Sequence, residues 1–477
     1  MSKAAEIPFV GGAYQGFSLD MNPQELINWY VEIDPKSDKP KALYPTPGTT
    51  LLATVGTGPI RGLYAYDGYL IAVSGYEVYK VTTAGTATLL GSMATNSGPV
   101  SIADNGVANG HQVMFVDGTA SGYIYDSTAG TFAVIADTDF PGGVTVVFHN
   151  SRFIVNEPET GRFYISSSYD GTAWDALEFA TAEGSPDHLK AVLAFNENLY
   201  LMGGLSIESW FDSGDADFPY QRFEGGFDEV GCAAAYSPAR LSGGIAYLAQ
   251  SKEGGFDVRI LGGGQSPVIS SPSLNQAMTG YPLVSDATGY TYKMRGHEFY
   301  VLTFPSADVT WVFDATTKEW FKWSTTTDQT GPHRHLSSCH AFVGMTSYVG
   351  DYRNGNLYSL SQTVYTDNGV AIVRDRITSV IRKTGLKRLF FSMLTVDFEG
   401  GIGLTSGQGV APVALLRYSN DAGHTWSQWI SAPMGVKGVY NTRAWWSRLG
   451  SGSKRAFHLR VSDPVKPVVL GAAVEAA

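Results

Sequence analysis

The stretch Tyr69-Leu-Ile-Ala-Val73-Ser74-Gly75-Tyr76-Glu-Val-Tyr-Lys-Val81 decides the fold. It reads as a short apolar strand, a glycine turn and a second strand rich in aromatic and β-branched residues. The same unit returns along the chain. Gln112 to Val116 is followed by Tyr123 to Asp126, Arg152 to Val155 by Arg162 to Ile165, and Leu199 to Met202 by Ile207 to Phe211. Ile245 to Ala249 is followed by Val258 to Leu261, Phe299 to Phe304 by Thr310 to Asp314, and Thr346 to Val349 by Asn356 to Leu360. Successive units start 40 to 54 residues apart. That pitch suits one four-stranded blade per repeat, because a blade cannot bury both faces alone and neighbours around an axis cover them. Stacked sandwiches would not keep a steady pitch. The expected fold is all-β: a propeller over residues 51–370 with six or seven blades, seven following from the seven hairpins.

Two repeats share a closing turn, at Asp126 to Gly130 and at Asp314 to Lys318. Aspartate followed by small residues is turn chemistry, since its carboxylate accepts backbone N–H bonds. Residues 1–50 differ. Proline punctuates them at Pro35, Pro40, Pro45 and Pro47, which reads as an extended arm partly joining the propeller. Residues 375–477 hold strands of five to nine residues with no helical period. They read as a separate small β-sandwich.

Composition narrows the function classes. Of 477 residues only 16% are charged, and Tyr 26, Phe 24 and Trp 10 make the chain too aromatic to be disordered. No run of about 18 apolar residues occurs, so no membrane-spanning helix and no stable membrane insertion are expected. Met1 to Glu6 lacks the apolar core of a secretory signal. Two cysteines, Cys232 and Cys339, cannot supply a disulfide framework, and synthesis in a reducing cytoplasm is expected. Residues 1–374 carry 20 Lys+Arg against 38 Asp+Glu, a net −18, while residues 375–477 carry 13 against 6, a net +7. The long acidic part should repel nucleic acid.

Candidate chemistry is sparse. Ser419-Asn-Asp421-Ala-Gly423-His-Thr425-Trp426 fits the Asp-box pattern familiar from sialidases, and Ser168 to Trp174 is a shorter form. Asp bonds turn amides, Gly supplies a positive φ and Trp packs back, so Ser419, Asp421, Gly423 and Trp426 read as a structural turn. A glycosidase needs two carboxyl groups facing one pocket, and no spacing here singles out a pair. A propeller glycosidase or glycan-binding protein is therefore the alternative reading. His333, His335, Cys339 and His340 are metal-capable, but match no standard zinc spacing. Gly262-Gly263-Gly264 lacks the pattern of a phosphate cradle. No catalytic residue, cofactor or metal is expected.

The basic C-terminal stretch includes Arg382-Lys383, Lys387-Arg388, Arg443-Ala-Trp445-Trp446-Ser-Arg448, Lys454-Arg455 and Arg460. Trp and Arg concentrate at protein interfaces, so Arg443, Trp445, Trp446 and Arg448 are the interface candidates. Alternation along a strand sends one of the two tryptophans into the core, and Trp446 is the choice.

The segments Leu416 to Ser427, Gly438 to Arg443, Trp446 to Gly450 and Leu459 to Pro464 resemble the C-terminal signature of the packaged-DNA stabilisation proteins of short-tailed phages and related prophages. Tyr14 to Ser18, Asn28-Trp29-Tyr30, Tyr44 to Thr49 and Arg61-Gly62 resemble that family's opening motif. The resemblance implies a non-enzymatic virion tail protein, made in the host cytoplasm. It implies a homo-oligomer, six copies, below the portal and adaptor rings, closing the DNA channel and joined to a tail needle or spikes. Packaged DNA would pass through it or be blocked by it without sequence-specific binding.

Overall fold

A computed structural model of the chain describes residues 4–477 except 17, 216–217, 263–264, 326–330, 384 and 386. Part of the glycine run, Gly263-Gly264, and Phe17 of the opening motif lie outside the described residues. Six of the seven hairpins quoted above form the central pair of a four-stranded blade; in the remaining one Gly244–Ser251 is central and Phe256–Leu261 is an edge strand. The six regular four-stranded blades are 60–92, 101–134, 146–181, 189–228, 288–322 as part of a larger sheet, and 337–361 with Gly48–Thr54 added. Between the fourth and fifth of these lies a broken sheet, 230–261, whose strand Gly244–Ser251 is flanked on one side by two short pieces, Val230–Cys232 and Ala239–Leu241. The expectation of six or seven blades is thus met by six regular blades and this irregular sheet.

Ring closure comes from the N-terminus. Gly48–Thr54 pairs antiparallel with Asn356–Ser361, so the start of the chain supplies the outer strand of the last blade. Gly48 is required there, because a Cβ would meet the carbonyls of Thr366 and Val364 at 2.5 Å each. The closing turns have one chemistry. The Asp126 carboxylate accepts from the amides of Thr128 and Ala129 at 2.8 Å, and Asp314 accepts from the amide of Thr316 at 2.9 Å. The fifth residue of each turn is left-handed, Gly130 at φ 67° and Lys318 at φ 63°.

The rest of the arm pairs largely with the C-terminal strands. Trp29–Ile33 and Lys41–Pro45 pair with the C-terminal strand Val469–Ala476, which continues to Leu389–Phe398 and Ala444–Ser447. Pro23–Ile27 does more. It sits between Glu319–Lys322 of the fifth blade and Arg374–Ile377, and the sheet runs on through Ala456–Val461, Val413–Ser419 and Ile430–Pro433. A ten-stranded sheet joins the sandwich to the propeller, and one apolar cluster spans Trp320 and Trp323 on one side and Phe391 and Trp446 on the other. The physical reason is that Pro23–Ile27 exposes two edges and both find partners. The proline stands at the strand's first position, where a missing N–H is tolerated. Pro272–Thr279 is the α-helix of the described residues, capped by Ser271.

A buried carboxyl sits at this junction. Asp367 is enclosed near Thr49, whose hydroxyl donates to it at 3.4 Å. Burial pushes its pKa up to about 7, with the Arg374 guanidinium opposing. A carboxyl raised in the folded state favours folding while protonated, so its contribution falls as pH rises from about 4 through 7. Relative to Asp367→Asn, the wild-type chain should lose stability across that window. Paired denaturation curves at pH 5 and pH 8 check this; a difference independent of pH contradicts it.

Candidate functional site

The Asp-box of the sandwich is a closed turn. The Ser419 hydroxyl donates to Asp421 Oδ1 at 2.6 Å and accepts from the Gly423 amide at 2.8 Å. Asp421 also receives the Thr425 amide at 2.8 Å and the Thr425 hydroxyl at 2.5 Å. Partial burial pushes the Asp421 pKa up, but the Ser419 and Thr425 bonds prevail and hold it down at about 2. Ala422 at φ 61° and Gly423 at φ 103° complete the reversal. Trp426 turns back onto His458, with ring centroids 5.4 Å apart, and beneath the Arg417 guanidinium. The shorter form repeats this: Asp170 binds the Thr172 amide at 2.9 Å, and the Trp174 indole donates to the Gly171 carbonyl at 2.8 Å.

Every Asp421 oxygen is thus engaged in shaping the chain. Asp421→Ala should cost about 1–2 kcal/mol of stability from lost turn bonds. Because the carboxyl is depressed, that difference exists above pH 4 and fades as pH falls toward 2. Denaturation of both proteins at pH 7 and pH 3 checks it. A stable variant that lost a glycan-cleaving activity would contradict the structural role.

Arg443, Trp445, Trp446 and Arg448 lie on and beside Ala444–Ser447, the edge strand of one sandwich sheet. Alternation separates the tryptophans. Trp446 is 3% exposed and its indole donates to the Ile430 carbonyl at 2.8 Å, while Trp445 is 57% exposed. Arg443 is exposed, its Nε 3.9 Å from Asp397. Arg448 is exposed in a left-handed turn at φ 58°. Phe390, 65% exposed, lies on the neighbouring strand, so the outer face of this sheet carries two bare aromatics with arginines beside them.

The other basic residues divide in a way the sequence does not announce. Arg455 is fully buried among Phe391, Tyr418 and Phe457, its guanidinium 4.1 Å from the Phe391 centroid. Arg460 grips Asp375 with two bonds of 2.8 and 2.9 Å, and His458 adds a third at 2.7 Å. Lys454 reaches Asp20 at 2.7 Å. What remains exposed is Arg382, Lys383, Lys387, Arg388, Lys437, Arg443 and Arg448.

The histidine cluster disperses. His333 pairs with Asp308 at 2.6 Å. His335 is buried, its ring stacked 3.7 Å from that of Trp323, and burial pushes its pKa down to about 3. His340 stacks beside Tyr290, and burial lowers it to about 4. Burial raises both thiols, Cys232 and Cys339, to about 11, which keeps them protonated and poor nucleophiles. Among the described residues no group of three His, Cys, Asp or Glu could hold a metal ion.

Sequence reasoning missed one set of residues, the interior arginines. Arg61, from the opening motif, donates to the carbonyls of Gly75, Thr95, Ser97 and Gly98 at 2.6 to 2.9 Å and so ties the first blade to the loop before the second. Arg376 holds the N-terminal arm. Their signal in the sequence is faint, because a charged residue in isolation reads as surface.

No match is found among curated proteins. Similar solved structures at low identity include the following two. The computationally designed Ika8 protein shares 14% identity, covering 71% of this chain and 99% of that one, with a TM-score of 0.38. The WD40 β-propeller domain of Doa1 shares 11%, covering 66% and 97%, with a TM-score of 0.42. Two family models cover almost the whole chain: the β-propeller of bacteriophage P22 Gp10 matches residues 5–365, and the β-sandwich of the same protein matches residues 374–477. With both units matched in order, the chain belongs to the bacteriophage P22 Gp10 family and is a structural protein of the phage tail.

Proposed function

We propose that this chain forms a ring, six copies in the family's manner, beneath the portal–adaptor assembly of a virion. There it closes the DNA channel, retains the packaged genome and carries the tail needle or spikes. It acts without catalysis or cofactor and is made in the host cytoplasm before joining the tail. The observation that carries this reading is the match of both units to one phage structural family. Charge supports it: the −18 of residues 1–374 repels phosphate, so the ring can block or pass a duplex without gripping it. The engaged Asp421 disfavours the glycosidase alternative.

Adding the purified chain to purified portal–adaptor complexes tests the reading, with copy number read by mass. Six copies of this 51.3 kDa chain per complex are expected. A chain that stays monomeric there and cleaves glycan would overturn it. Free protein should bind duplex DNA weakly, with a Kd above about 1 µM at physiological salt and no sequence preference. What binding occurs should come from the exposed basic residues of 375–477 and fall steeply with salt. A gel shift checks this, and tight binding by residues 1–374 contradicts it.

A further inference from the structure

The acidity of the propeller is concentrated. Residues 146–229, blades three and four, hold 15 Asp+Glu against 4 Lys+Arg, a net −11 that equals the formal charge of the whole chain. Their outer strands also expose large apolar side chains: Leu177 is 82% exposed, Phe223 46% and Phe227 37%. Glu183 and Glu224 stand exposed beside them. The two blades present one continuous surface. Phe227 packs so closely on Gly184 that a Cβ there would lie 2.5 Å from its ring, and the Gly184 amide donates to Glu208 at 2.6 Å across the blades. Bare aromatics with an acidic rim match, in shape class and in charge, the face described above, where Phe390 and Trp445 stand among Arg443 and Arg448.

One molecule cannot satisfy this match itself. The sandwich is joined to the fifth blade, the broken sheet separates that blade from the fourth, and among the described residues no strand pairing links 146–228 to the sandwich. We infer that the sandwich face carrying Phe390, Arg443, Trp445 and Arg448 docks on the outer edge of blades three and four, at Glu183, Phe223, Glu224 and Phe227, of a second copy of this chain. The contact is head-to-tail, two different surfaces meeting. Repeated with a rotation that divides a full turn and no rise along the axis, such a contact closes into a ring. The inference rests on the ring proposed above and names the surfaces that would form it.

Charge reversal on each side tests the pairing. Arg443→Glu with Arg448→Glu, and separately Glu183→Arg with Glu224→Arg, should each weaken self-association at least about 100-fold, because like charges then face each other. All four substitutions in one chain should restore most of the loss. Association is read by mass, free in solution over a concentration series and on portal–adaptor complexes. All four positions are exposed, so melting temperatures should not change. Trp445→Ala, which alters no charge, should weaken association as well. Wild-type rings with unaffected variants, or a fourfold variant no better than either reversal, would overturn the pairing alone. A wild-type chain that associates in neither setting would overturn the ring reading and the pairing with it.

Discussion

Arg376→Met is expected to destabilise the chain by about 3–5 kcal/mol and to free the N-terminal arm. Arg376 is fully buried, and its guanidinium donates to the carbonyls of Phe9, Gly12 and Glu25 and to the Gln24 side chain at 2.7 to 3.3 Å. Burial lowers its pKa to about 10, so it remains a cation at neutral pH. It pins 9–25 to the strand Arg374–Ile377, and through it the arm to the sheet shared by propeller and sandwich. Methionine fills the space but leaves those acceptors without their donor. Lysine should rescue little, because one ammonium cannot reproduce the planar fork. Denaturation gives the stability loss, and amide hydrogen exchange should show residues 5–27 losing protection first. A variant with wild-type stability and a protected arm would contradict the assignment.

The adjacent tryptophans should behave as opposites. Trp446→Ala removes a buried ring and its bond to Ile430, and should cost about 3–5 kcal/mol. Trp445→Ala removes a solvent-facing ring and should leave stability within about 0.5 kcal/mol of wild type. Its effect should appear in assembly instead, where truncating an aromatic anchor typically costs 2 kcal/mol or more. Melting curves and assembly assays on both variants separate the roles. Equal losses of stability would show that the strand does not present Trp445 outward.

How much of this was legible follows from the range of each interaction. The hairpins, the closing turns at Asp126 and Asp314, the Asp-box and the alternation of Trp445 and Trp446 are local, and residues within a few positions determine them. The arm's course is not local. Pro23–Ile27 pairs with strands some three hundred residues away, and nothing in its own pattern names them. The interior arginines escaped for a related reason. Arg374, Asp375 and Arg376 are consecutive buried charges on one strand, and the partners of Asp375 and Arg376 lie far off in sequence at Phe9, Arg460 and His458. The basic stretch of the sandwich therefore looked more available than it is. The broken sheet 230–261 was hidden because its hairpin, Gly244–Ser251 with Phe256–Leu261, keeps the repeat pattern while the strand on the other side splits.

Retention of packaged DNA by closing a channel is the role proposed for this chain. Its most direct test is the DNA content of particles assembled without the chain, followed over time as nuclease-protected DNA. Such particles should fill normally and then lose their DNA, and adding purified chain before the loss should prevent it. Particles that stay full without the chain would rule out its role in closing the channel.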